Sequence, residues 1–321
     1  MALRNHPRIS KQLRKKICGV ADQMGYHRDP RICEHLAYLR QKRVYRSREK
    51  IALLKGFNKQ PGQNYSVGIA DFCLTAREHA RQCGYDLEEY QMGKDEMNGR
   101  RLTEILIARG IRGVILPPTF IVPEQLPDFS LFVSATCDGV LDSPDLQCAG
   151  PHYFHNALLS FENLLALGYR KIGFACLGQP SQRAVQSIHG AYNLITTTMP
   201  LPAYVPPCIE LKNVESSVFL NWYKKYRPEV ILATNPTVLL TLEKAGIKVP
   251  QDVGIAVLGV SPNSKLAGID HRYTTIYTAM ADLVISQLQR NECGIPEVPQ
   301  KILIEGKWMD GLSAPAINLN S

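Results

Sequence analysis

The side chains of this sequence best placed to do chemistry are the lysines and arginines of its amino end. Residues 1–50 hold 14 Lys and Arg against 4 Asp and Glu, a balance of +10. The rest of the chain, by difference from totals of 37 and 29, holds 23 basic and 25 acidic residues and is nearly neutral. Ammonium and guanidinium groups gathered beside a near-neutral body are the footprint of contact with a polyanion. A solvated basic tail would carry few apolar residues, whereas Leu13, Ile17, Val20, Ala21 and Met24 recur on one face of a helical repeat.

Elsewhere the chemistry is sparse. The chain contains no G-x-S-x-G, no G-x-x-x-x-G-K-[ST], no G-x-G-x-x-G after a strand and no H-E-x-x-H, so no enzyme class is indicated. Asp270 and Asp282 have no evident partner at a meaningful spacing. His152 and His155, flanking Tyr153, suit loop packing better than a metal site. The nine cysteines are scattered and never arranged as C-x-x-C. They fit reduced thiols in a cytoplasm and argue against a disulfide framework or a zinc site; no cofactor is implied. No apolar run approaches the ~18 residues of a membrane helix, and the start lacks the apolar core of an export signal.

The elements that position these residues follow from periodicity and punctuation. Ser10 reads as the cap of a helix running to Met24 and stopped by Gly25. Asp29-Pro30 opens a second short helix to about Arg40, and the cation-rich stretch 41–48 reads as a linker. From Lys50, apolar strands alternate with helices, the pattern of parallel sheets with crossover connections. Strands are expected at 51–54, 85–91, 113–118, 131–134, 171–177, 230–234, 253–260 and, as one closing strand, 301–308. Helices are expected within 64–84 and at 98–109, 155–167, 190–197, 218–226, 237–245 and 275–290.

Several phrases carry a resemblance. Asn5-His-Pro-Arg-Ile-Ser10, then a helix, Gly25-Tyr26 and Asp29-Pro30, is similar to the second half of a LacI/GalR-family headpiece. Leu167–Phe174, Lys244–Ile255 and Ile304–Trp308 resemble phrases of that family's core, in the same order. The resemblance implies an α/β fold with a two-lobed, type I periplasmic-binding-protein-like core of parallel sheets, preceded by a partial all-α headpiece and a hinge helix. Residues 1–28 would be the partial helix-turn-helix and 29–49 the hinge and linker. Residues 50–315 would be the core, with one lobe at about 50–150 plus 270–292 and the other at about 151–269 plus 293–315. By the same resemblance the sequence opens in the tail of the recognition helix, through either a start codon further upstream or a natural truncation. DNA binding by the chain as given should then be weak and driven by phosphates.

The functional residues come with the resemblance. Arg4, Asn5, His6, Arg8, Ser10, Arg14, Tyr26, Arg28, Arg31, Leu36 and Arg40 would face DNA; Ser10, a cap in any case, would add a phosphate contact. The family's minor-groove leucine falls on His35 here, so the wedge is shifted to Leu36 or lost; Leu36 and Leu39 packing against a partner subunit is the other reading. Phe57, Asn58, His152, His155, Asn156, Ser181, Arg183, Asn235 and Ser261 would line a small-molecule effector pocket between the lobes. Ser187 and Ser261-Pro262 replace an arginine and an acid that commonly clamp sugar hydroxyls in the family. The expectation is a cytoplasmic, homodimeric regulator that binds double-stranded DNA as a repressor, and not an enzyme. A ligand sensor of the same fold without specific DNA binding is the alternative, with a solute-binding protein further off.

Overall fold

A computed structural model describes residues 10–24, 48–56, 66–92, 98–117, 122–137, 140–141, 143–177, 182–198, 204–210 and 216–317. The core forms two compact units: residues up to Gly150 together with Tyr273–Ile302, and Pro151–Arg272 together with Leu303 onward. Among the described residues, no helix is long and apolar enough to cross a membrane.

The amino-terminal helix α1 (Lys11–Gln23) begins at Ser10, whose Oγ accepts from Leu13 N at 3.3 Å. Unit 1 then follows with β1 (Glu49–Lys55), α2 (Ser66–Gln82), β2 (Tyr85–Gln91), α3 (Gly99–Ala108), β3 (Gly113–Leu116), β4 (Val133–Cys137) and β5 (Gln147–Pro151). Ile51 to Leu54 are all fully buried, as a strand covered on both faces requires. Asn98 starts α3 by accepting from Arg101 N at 2.9 Å.

Unit 2 carries α4 (Tyr153–Ala166), β6 (Ile172–Leu177), α5 (Gln182–Thr198), β7 (Cys208–Glu210), α6 (Ser216–Tyr226), β8 (Val230–Ala233), α7 (Thr237–Lys244), β9 (Gly254–Leu258) and β10 (Ala267–Asp270). Helix α8 (Tyr273–Arg290) belongs to unit 1 again, followed by β11 (Lys301–Ile304) and, in the sheet of unit 2, β12 (Lys307–Met309).

Sheet 1 has the order β11-β5-β4-β3-β1-β2 and sheet 2 the order β12-β10-β9-β8-β6-β7. The ladders from β2 to β5 and from β7 to β10 are parallel, and β12 runs antiparallel to β10. Phe161, Phe174 and Tyr192 pack one face of sheet 2, and Phe219, Trp222 and Tyr223 the other. This is the two-lobed α/β architecture with parallel sheets that the resemblance implied.

Three local expectations change. The single closing strand over 301–308 is two strands in two different sheets, because Glu305-Gly306 interrupts the ladder. Unit 1 includes the segment up to Ile302, where Cys148 N donates to Gln300 O at 3.0 Å. Strands β5, β7 and β10 were not expected at all: Gln147-Cys-Ala-Gly-Pro151, Cys208-Ile-Glu210 and Ala267-Gly-Ile-Asp270 are too short and too poor in β-branched residues to show a period. Helix α5 starts eight residues ahead of Gly190.

Helix α8 lies close on sheet 1 because Gly113 leaves room. A Cβ there would sit 2.8 Å from Val284 Cγ1 and 3.0 Å from Leu288 Cδ1. Gly113→Ala should therefore cost about 1–3 kcal/mol by overpacking, read as a lowered urea midpoint with an unchanged slope.

Candidate functional site

In a parallel α/β sheet, ligands are held outside the carboxyl ends of the strands, next to the point where successive crossovers leave in opposite directions. In sheet 2 that point lies between β6 and β8. Asn235 spans it: its Nδ2 donates to Leu177 O, the last residue of β6, at 2.5 Å. Its Oδ1 accepts from Thr237 N at 2.9 Å and from the Thr237 hydroxyl, a side-chain turn that leads into α7. Both amide atoms of Asn235 thus shape the loop that follows β8.

The other described candidates lie on loops and helix starts of unit 2. Arg183 is exposed in the first turn of α5, after β6, and Ser261 is exposed after β9. His152 caps α4, its Nδ1 accepting from His155 N at 3.3 Å, while its own N–H donates to Ile304 O at 2.8 Å. The two imidazoles are tilted, with centroids 5.7 Å apart, and His155 Nε2 lies 3.9 Å from Glu305 Oε2. Both rings are partly exposed.

Asn156 differs from these neighbours. It is fully buried, its Oδ1 accepts from Gly306 N at 2.7 Å, and its Nδ2 contacts His271 Nδ1 at 3.0 Å. Since the amide oxygen is occupied by an N–H, Nδ2 must be the donor and His271 Nδ1 a lone pair. The His271 proton therefore resides on Nε2, consistent with its hydrogen bond to the backbone of Leu258. The close approach needs Gly306, where a Cβ would come within 2.4 Å of Ile269 Cγ2. Asn156, expected as an effector contact, joins α4 to the segments after β10 and β11.

His271 was missed by sequence reasoning, because nothing in Ile269-Asp-His-Arg272 marks the histidine as buried. Burial pushes its pKa down to about 4, against the opposing pull of the Asp270 charge and the Leu258 hydrogen bond. Tyr153 packs edge-on against it at 5.9 Å. Glu305, beside His155, was also overlooked, having been absorbed into the supposed closing strand.

Of the expected DNA-facing residues, Ser10 and Arg14 are described and lie on α1; Arg4, Asn5, His6, Arg8, Tyr26, Arg28, Arg31, Leu36 and Arg40 fall outside the described residues. So do Phe57, Asn58 and Ser181 among the effector candidates. Every side chain of α1 whose burial is described is exposed or partly so, with Leu13 at 50% and Val20 at 47%. Lys11, Lys15 and Lys16 are exposed in its first two turns.

No protein-family model matches the chain, and no curated protein matches it. Solved structures do. A regulatory protein of the LacI family from Chloroflexus aggregans superposes with a TM-score of 0.62 at 16% identity, over 82% of this chain and 98% of the other. A transcriptional regulator CelR–cellobiose complex gives 0.61 at 14% identity, over 96% and 92%. A periplasmic binding protein/LacI transcriptional regulator from Alkaliphilus metalliredigens QYMF, complexed with D-xylulofuranose, gives 0.57 at 15%, over 83% and 99%. The chain has the fold of LacI-family transcription regulators, as its sequence phrases suggested.

The buried histidine gives this region an acid-labile lock. A folded-state pKa of about 4 against an ordinary 6.5 means that the unfolded chain binds the proton first. Stability from this group is complete above pH ~6.5 and falls as pH drops toward ~4, by about 3 kcal/mol in all. His271→Gln should flatten that part of the slope, measured as urea midpoints at several pH values. Asn156→Ala, which strands Gly306 N–H and the His271 lone pair, should cost about 2–4 kcal/mol at neutral pH in the same assay.

Proposed function

We propose that this chain is a DNA-binding transcription regulator, a repressor acting in the cytoplasm as a homodimer. A small polar effector held at the carboxyl edge of sheet 2 sets its affinity for DNA. The observation that carries the reading is α1: a capped helix with Lys11, Arg14, Lys15 and Lys16 in its first two turns, lying open along its described length ahead of a near-neutral core. An exposed helix start with converging cations suits phosphate contact through charge and free N–H groups. The fold agrees, since its structural neighbours include transcription regulators and two of them hold small carbohydrates, cellobiose and D-xylulofuranose.

On the effector side, His152, His155, Arg183 and Ser261 offer polar groups at one sheet edge, with Asn235 fixing the loop between them. Ser187 and Ser261 stand where an arginine and an acid would grip sugar hydroxyls, so the ligand is a polar metabolite recognised mainly by imidazole and guanidinium groups. Such a ligand shifts DNA affinity only through a difference in its own affinity for the two DNA-binding states.

Two measurements test this. Binding of labelled duplex by the whole chain, followed by fluorescence anisotropy, should weaken steeply with salt. Lys15→Gln with Lys16→Gln should lower the log–log salt slope by about 2 and weaken binding of all sequences alike. Binding that ignores both salt and these substitutions, or no binding to any duplex, overturns the DNA reading and leaves the ligand sensor. In a thermal-shift screen of sugars, sugar acids and nucleobases, a stabilising compound should lose its effect in Arg183→Ala; an unaltered shift removes Arg183 from the site.

A further inference from the structure

Away from these residues, three side chains of unit 1 converge on one point. His79 stands in the last turn of α2 and Cys83 just past its end, one turn further on, and Asp282 reaches the same place from α8, which packs against α2. His79 Nε2 lies 2.6 Å from Asp282 Oδ1 and 3.9 Å from Cys83 Sγ, and the three atoms all fall within 4.8 Å of one another. A hydrogen-bonded ion pair across the helices accounts for His79 and Asp282. It gives no role to Cys83, whose sulfur faces the same point from a partly buried position where burial, then the Asp282 charge, hold the thiol protonated. A cation placed among the three would reverse that preference.

We propose that His79, Cys83 and Asp282 bind a divalent transition-metal ion of the zinc class and so clamp α2 to α8. Imidazole, thiolate and carboxylate form the mixed N, S, O set chosen by borderline ions; magnesium and calcium prefer oxygen alone. Tetrahedral coordination at ordinary bond lengths separates sulfur from nitrogen by about 3.6 Å and nitrogen from oxygen by about 3.4 Å. The sulfur is therefore already near its place, and only the carboxylate must withdraw. It is able to do so, since the Asp282 side chain is 57% exposed and that of His79 25%. The rigid side of the site is α2, anchored by buried Cys73, Ala76 and Ala80. Three protein ligands leave a fourth position for water. The inference is independent of the DNA reading.

The test uses the whole chain, reduced, stripped of metal with a chelator, and titrated with Co2+ alone. One equivalent should bind with a thiolate-to-cobalt charge-transfer band, be displaced by Zn2+, and raise the unfolding temperature. Cys83→Ser should abolish the band, and Asp282→Asn should weaken Co2+ binding by at least about ten-fold. No band in the unaltered chain, or a band that persists in Cys83→Ser, overturns the site. Asp282→Asn changes an exposed position and keeps the comparison open if Cys83→Ser fails to fold; unchanged Co2+ affinity in it also overturns the site.

Discussion

Two parallel strands cannot be joined by a tight turn, and the crossover that joins them must carry the chain back along a face of the sheet. That necessity arranges most of this molecule. With both faces of each sheet covered by crossovers, Ile51–Leu54 of β1 and the whole of β6 are continuous apolar runs, while polar side chains fall at strand ends, on the edge strand β2 and in the loops. The carboxyl ends of β6, β8 and β9 share one edge because the strands between them are parallel. Arg183, Asn235 and Ser261 are separated by up to 78 residues in sequence, yet the ladder delivers them to that edge together.

Within unit 2 a second constraint acts at short range. Helix α4 begins where polar backbone from the turn after β11 must be buried, and an unpaired N–H there is costly. Asn156 resolves this by accepting from Gly306, which leaves its own N–H donor to be matched. A neutral imidazole is the fitting acceptor: it supplies a lone pair on one nitrogen and a proton for the Leu258 backbone on the other. A charged His271 would present two protons and face the Asn156 amino group with the wrong polarity. The depressed pKa of this residue is thus the electrostatic face of a hydrogen-bond arrangement that holds only for the neutral form.

Long-period features of the architecture were legible in the sequence and short ones were not. Runs such as Ile51–Leu54 and Val230–Ala233, closed by glycines at 84, 110, 168 and 246, announce alternating strands and helices; each of those glycines has a positive φ at the end of its helix. The Ser10 cap was readable because its side-chain chemistry is local. Strands β5, β7 and β10 gain their pairing from neighbours distant in sequence, and nothing in Gln147–Pro151 discloses that partnership. Asn156 and His155, adjacent in sequence, differ for the same reason: one meets Gly306 and His271 in the interior, the other looks toward Glu305 at the surface. His79 and Cys83 carried a visible i, i+4 signature, but their third member lies 199 residues beyond Cys83, and only the packing of α2 on α8 reveals it.

Charge separates the two ends of the molecule more sharply than composition does. In unit 1 the cations near sheet 1 are committed locally. Lys50 pairs with Glu88 and Lys55 with Glu89, both at 2.6 Å; Arg77 also holds Glu89, Arg109 holds Glu88, and Arg112 holds Glu49. These pairs add little stability singly, but each sets a cation of unit 1 against a carboxylate beside it. The lysines of α1 stand outside that network on an open helix. The excess positive charge of the chain is concentrated in the segment before the core, residues 1–50.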